Sequence, residues 1–198
     1  KMKIALLLKG SSQATYNHWQ YNDKVTVSWR HSIENIKDNI IKPNNCDVFL
    51  HTWKDPDQPQ SEYDQMVSEF GALSHRIDDD IDGSFGKPLG KKVATTAKRA
   101  IDVYYDYIKN CEQKYDLIIM SRFDLYFFYK VDLAHSLRLS EEELKNMLFV
   151  YALEANRNHP YIDKKKTKTK GIDDNFIVFT PEALHSYYDA LKYKIECD

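Results

Sequence analysis

A chain of 198 residues has room for one domain with a substantial core. Its formal charge of −2 excludes a general nucleic-acid binder, which needs a basic field, and no apolar run reaches the length of a membrane span. Aromatic residues make up 13% of the chain and include fourteen tyrosines, a composition that suits polar-aromatic grooves as well as a core. Cys46, Cys111 and Cys197 are odd in number, far apart and in no zinc-like spacing, so a reducing, intracellular compartment is expected, with a soluble cytoplasmic protein in it. The run 4–8 is too short for the apolar centre of a signal peptide.

In chain order, residues 3–8 read as a buried first strand that ends at Lys9-Gly10-Ser11-Ser12. Residues 13–23 are polar and aromatic without a clear period. Trp29, Ile33, Ile36 and Ile40 recur at helical spacing, with Ser28 as N-cap and Pro43 just past the end. Residues 46–50 form a second strand reaching His51-Thr52-Trp53, and 54–60, rich in prolines and acids, form a loop. Tyr63, Met66, Val67 and Phe70 predict a short helix. A third strand over 72–77 then runs into Asp78-Asp79-Asp80 and a glycine-containing loop over 83–90. The spacing of Val93, Ala97, Ala100, Ile101, Tyr104, Tyr105 and Ile108 predicts the longest helix, 93–110.

Leu117, Ile118, Ile119 and Met120 are a continuous apolar run, the pattern of a central strand covered on both faces. Arg122 and Asp124 follow, and apolar character resumes at 125–129 as a second strand-like run. Charges held between two such runs need partners: an unpaired buried ion costs several kcal/mol. They serve either a ligand at the carboxyl end of the sheet or an internal Arg122–Asp124 ion pair closing a turn. Ser140 and Glu143 make a capping box, 149–153 and 176–179 read as strands, and Thr180-Pro181 opens a last helix that buries Leu184, Tyr187, Tyr188 and Leu191. Alternating strands and helices predict an α/β fold with a largely parallel sheet in a single domain over 1–198. A place at the N-terminus of a longer protein is left open.

The order of these elements, with Lys3-Ile-Ala-Leu-Leu-Leu-Lys-Gly10, Asp47-Val-Phe-Leu-His-Thr-Trp53, Tyr115-Asp-Leu-Ile-Ile-Met-Ser-Arg-Phe-Asp-Leu-Tyr126 and Asp173-Asp-Asn-Phe-Ile-Val-Phe179, resembles GT-A-type nucleotide-sugar glycosyltransferases. Nearly the whole chain is similar to the glycosyltransferase domains that open larger enzymes of chlorella viruses. The resemblance implies a GT-A-like fold, a central mostly parallel mixed sheet flanked by helices. It implies a UDP-sugar donor carrying a hexose or deoxyhexose, a hydroxyl of a glycan as acceptor, and an inverting reaction assisted by Mn²⁺ or Mg²⁺.

Residue by residue, the resemblance places the base and ribose at Leu8, Lys9 and Gly10, with Arg76 and Asp78 beside them. It places the diphosphate near Lys98, one position from Arg99. Arg122-Phe-Asp124 falls where the family carries Asp-x-Asp, which makes Asp124 the metal ligand and lets Arg122, in place of the first acid, grip the phosphates itself. Asp78-Asp79-Asp80 spells the motif literally and is the rival metal site, or else a solvated acidic run. Asp174, with Asp173 as alternate, is the base that takes the acceptor's proton. The lysine-rich run 164–170 reads either as a loop that folds over the donor or as a solvated one. Two other functions remain in view: a non-catalytic carbohydrate- or nucleotide-binding module, and a metal-dependent hydrolase using Asp78, Asp80 and Asp124.

Overall fold

Apolar runs without alternation require strands buried on both faces, and the computed structural model, which describes residues 2–18, 23–79, 89–133, 148–149 and 176–197, has them at its centre. In chain order it contains β1 (Ile4–Ser11), β2 (Gln13–His18), β3 (Asp23–Ser28), α1 (Trp29–Ile36), α2 (Lys42–Asn44), β4 (Asp47–Trp53) and α3 (Gln60–Phe70). Then follow β5 (Ala72–Asp78), α4 (Leu89–Lys109), β6 (Leu117–Arg122), β7 (Leu148–Phe149), β8 (Phe176–Phe179) and α5 (Pro181–Cys197). The main sheet runs β5-β4-β1-β6-β8-β7. Its first four strands are parallel, β8 is antiparallel to β6, and β7 is antiparallel to β8. The fold is α/β with a mostly parallel mixed sheet and flanking helices, as the alternation predicted.

Each face of the sheet has its own core. Ile4, Leu6, Leu8, Val48 and Leu50 pack on Trp29, Ile33 and Ile36 of α1 and on Tyr63, Met66 and Phe70 of α3. Ala5, Leu7, Phe49, Ile118 and Met120 pack on Ala97, Ile101 and Tyr104 of α4 and on Leu184 and Leu191 of α5. From β1 the chain proceeds outward to β4 and β5, then crosses to β6 on the other side of β1. The switch in direction therefore lies between β1 and β6, where α/β sheets open a crevice at the carboxyl ends of their strands.

The segment without a clear period carries β2, which pairs antiparallel with β3 in a separate two-stranded sheet. Two expectations are corrected. The first helix does not stop before Pro43: α1 widens into a π-helical turn, Lys37–Ile41, and α2 carries Pro43 in its first turn, where a missing N–H is harmless. It ends at Asn45, in the left-handed region at φ 51. Residues 125–129 are not a strand. The expected capping box at Ser140 and Glu143, and the strand over 149–153 beyond Phe149, lie outside the described residues.

Side-chain amides replace a ladder for the segment after β6. Phe127 N–H donates to Asn35 Oδ1 at 2.7 Å, and Phe127 O accepts from Nδ2 of Asn35 and of Asn39, at 2.9 and 3.0 Å. Asn44 Nδ2 donates to Val131 O at 2.5 Å, and its Oδ1 accepts from Leu133 N–H at 2.9 Å. Ser32 Oγ donates to Phe123 O. The segment thus follows the helical arm from Ser32 to Asn44. Replacing Asn44 by Ala strands a buried N–H and a carbonyl, an expected cost of about 2 kcal/mol. Urea unfolding checks this as a lower midpoint at an unchanged denaturant slope.

Candidate functional site

Register decides what meets at the carboxyl edge. Lys9 of β1 pairs with His51 of β4 on one side and with Arg122 of β6 on the other, and His51 pairs with Arg76 of β5. Residues paired across parallel strands point to one face. Leu7 and Phe49, two residues earlier, belong to the α4 face, so Arg76, His51, Lys9 and Arg122 form a row of nitrogen-bearing side chains on that face. Asp78 and Asp124, two residues beyond the ends of the row, carry the opposite charge. Arg99 of α4 joins the same edge through its contact with Asp78.

The pairs within this edge are close. Asp78 accepts from Arg76 Nε at 2.7 Å and from Arg99 Nη1 at 2.8 Å, and lies 3.2 Å from His51 Nε2. Partial burial acts to raise its pKa, but the Arg76 hydrogen bond, the Arg99 and Arg76 charges and the His51 bond together hold it below the usual carboxylate range. Asp79 pairs outward with Lys54 at 3.1 Å. Arg122 grips both oxygens of Asp124, at 2.8 and 2.5 Å, so the internal ion pair anticipated as one alternative is present.

His51 and Trp53 complete the edge. His51 is fully buried, and burial foremost pushes its imidazole down to about 4, with the Arg99 and Arg76 charges adding to the fall and Asp78 opposing it. A neutral ring facing an ionised Asp78 must carry its proton on Nε2, which leaves Nδ1 as an acceptor. Nδ1 has no hydrogen-bond partner among the described residues. Trp53 stands edge-on to His51 with ring centroids 5.0 Å apart and donates from Nε1 to Thr96 Oγ1 at 3.0 Å. Arg99 lies 5.8 Å from its ring.

The loop after β1 is fixed by β4. Ser12 N–H donates to Thr52 Oγ1 at 3.0 Å, and Ser12 Oγ donates to Gln58 at 3.0 Å. Gly10, near the end of β1, has φ +123, a conformation that side chains rarely adopt, so glycine is required there.

The structure brings together five of the residues expected at the donor, Lys9, Gly10, Arg76, Asp78 and Arg122, with Asp124 beside them. Leu8 sits one step below them, its side chain in the opposite core. Lys98 is elsewhere: its Nζ pairs with Asp102 at 2.9 and 3.1 Å and lies 5.1 Å from the Tyr188 ring, while its neighbour Arg99 reaches Asp78. A step of one residue turns a helix by about 100°, so only one of the two can face the edge. Asp80, Asp173, Asp174 and the lysine run 164–170 lie outside the described residues. His51, Trp53 and Arg99 were not expected in the site. The strand-end position of the first two and the helix phase of the third were their only signals.

A divalent cation needs hard oxygen ligands. Among the described residues no group of three potential metal ligands occurs, and both oxygens of Asp124 are engaged by Arg122. Within the described residues neither Asp124, gripped by Arg122, nor Asp78, paired with two arginines, makes a cation site by itself. Comparison of the chain with protein-family models, curated proteins and solved structures finds no match in any of the three. Among the described residues no helix is long and apolar enough to cross a membrane.

The buried imidazole makes stability depend on pH in a defined direction. Its folded pKa of about 4 lies below the ordinary 6.5, so in between the unfolded chain binds a proton that the folded chain refuses. Stability is therefore full above 6.5 and falls as pH drops towards 4, by on the order of 3 kcal/mol. The contribution of Asp78 is lost only at lower pH, beneath its ordinary 3.8. Urea midpoints at pH 6.5 and pH 4 should show His51→Gln losing markedly less stability on acidification than the native chain. Parallel losses in the two proteins would refute the assignment.

Proposed function

We propose that the protein is a nucleotide-sugar glycosyltransferase, moving a hexose or deoxyhexose from a UDP-sugar to a hydroxyl of a glycan. The observation that carries this reading is the row of Arg76, His51, Lys9 and Arg122 across the switch point, with Arg99 of α4 beside it. A diphosphate diester brings two negative charges to such an edge.

In this reading the bond from the anomeric carbon to the terminal phosphate oxygen breaks, and its electron pair stays on the departing diphosphate. Fixed cations beside that oxygen stabilise the charge as it develops, because they need no reorganisation at the moment of reaction. Arg122 and Arg99 are suited to this by their planar, multiply donating heads. The acceptor oxygen bonds to the anomeric carbon, and its proton passes to Asp174, or to Asp173, on the strength of the family resemblance. Arg76 and Asp78 hold the nucleoside.

One observation favours a second reading, a nucleotide- or carbohydrate-binding module without catalysis: the acid at the Asp-x-Asp position is closed onto Arg122. The hydrolase reading has less support, since Asp78 is neutralised by Arg76 and Arg99. Calorimetric titration of UDP tests the proposal, with Mn²⁺ and then with chelator. Replacing Arg122 or Arg99 by Ala should each weaken UDP about 10-fold or more, the scale of one lost charge-assisted contact. Heat that vanishes with chelator and in Asp124→Asn would mean that a cation at Asp124 takes part in holding UDP. Absence of UDP binding under every condition would end the nucleotide-sugar reading. UDP released from UDP-glucose only when oligosaccharide is present would separate a transferase from a binding module.

A further inference from the structure

Directly after Asp124, three large aromatic side chains stand in solvent: Tyr126 at 62% exposure, Phe128 at 82% and Tyr129 at 84%. The other large hydrophobic residues exposed among those described, Leu73 and Tyr193, sit on separate elements, β5 and α5. A cluster of such rings beside a candidate site calls for a function, whereas single exposed residues do not.

The backbone beneath these rings is pinned. Phe127 is buried against Phe176, with centroids 5.4 Å apart, and both of its backbone polar groups are held by Asn35 and Asn39. Because Phe127 points inward, Tyr126 and Phe128 flank it on the outside, their rings T-shaped at 5.8 Å. Phe123 is tied to Ser32 and Phe127 to Asn35 and Asn39, so the segment that carries the rings leaves the edge along the helical arm, with Tyr126 two residues after Asp124.

We propose that Tyr126, Phe128 and Tyr129 form the platform for the acceptor glycan, a proposal that rests on the transferase reading above for the word acceptor but not for the binding of sugar. A pyranose ring presents a face of C–H groups that packs on an aromatic ring, while its hydroxyls need polar neighbours. Two of the three rings carry a hydroxyl, and Asp124 and Lys130 bracket them in the chain. A second copy of this chain is the poorer occupant. At about 200 Å² per aromatic side chain, the exposed fractions sum to about 450 Å², well short of the roughly 800 Å² per partner that a stable protein interface buries. A few stacked sugar units need no more than that.

The test is an NMR titration of the isotope-labelled chain with cellohexaose, maltohexaose, xylohexaose and mannohexaose, without nucleotide. At least one should shift the ring signals of Tyr126, Phe128 and Tyr129 saturably. The double variant Tyr126→Ala/Phe128→Ala should lose that response by about 10-fold or more while keeping its remaining spectrum and its UDP titration. In the transfer assay the same variant should raise the acceptor KM and leave the donor KM alone. No ring shifts with any of the four sugars would overturn the proposal. So would ring signals that depend on protein concentration, with a doubled mass in sedimentation, since these indicate a second copy. If UDP binds no form of the protein, the transferase reading falls, and the sugar shifts still decide whether the platform binds glycan.

Discussion

The ladder register between β1 and its two parallel neighbours is the constraint on which the candidate site depends. It sets Lys9 level with His51 and Arg122, and β4 carries the alignment on to Arg76. Register here is enforced by burial on both faces: sliding β1 by one residue would exchange Leu6 and Leu8 with Ala5 and Leu7 between two differently shaped cores. The cations are therefore positioned by the packing of apolar residues below them. No local motif spells out the row, because its members lie on four strands.

The second organising device is the asparagine flank of the first helical arm. Asn35 and Asn39, one turn apart, share a face, and the π turn and the Pro43-containing turn bring Asn44 to the same departing segment. Their amides satisfy backbone groups that would otherwise need a neighbouring strand. This explains how an apolar, aromatic segment can leave the sheet without extending it. It also explains why Asp124 and the rings after it hold a defined place relative to β6.

Much of the architecture was legible because continuous apolar runs and helical spacing both report burial. The strands 3–8, 46–50, 72–77, 115–120 and 176–179 and the helices around Tyr63, Ala97 and Leu184 all have counterparts in the structure. What was missed depends on partners distant in sequence. Thr15, Tyr16, Val25 and Thr26 have the strand preferences of their type, but the pairing of β2 with β3 has no visible period. Leu125 to Tyr129 looked like a strand because aromatic content does not distinguish a ladder from an amide clamp. The two asparagines at i and i+4 in α1 and its continuation were the available clue. Choosing between Lys98 and Arg99 required knowing where Asp78 and Trp53 end, which only the register provides.

The charge arrangement also bears on how such an edge can persist without a ligand. Cations drawn together at the end of a buried sheet repel one another, and their desolvation is costly unless counter-charges lie within hydrogen-bond reach. Asp78 meets that need for Arg76 and Arg99, and Asp124 meets it for Arg122, in each case at 2.5 to 2.8 Å. The same pairing sets the cost of binding an anion. A diphosphate engaging Arg122 has to compete with Asp124 for the guanidinium. On this argument Asp124 is a counter-ion for Arg122 before any role in holding a metal. A metal at Asp124 would share its oxygens with the guanidinium, because a carboxylate has more acceptor sites than Arg122 occupies.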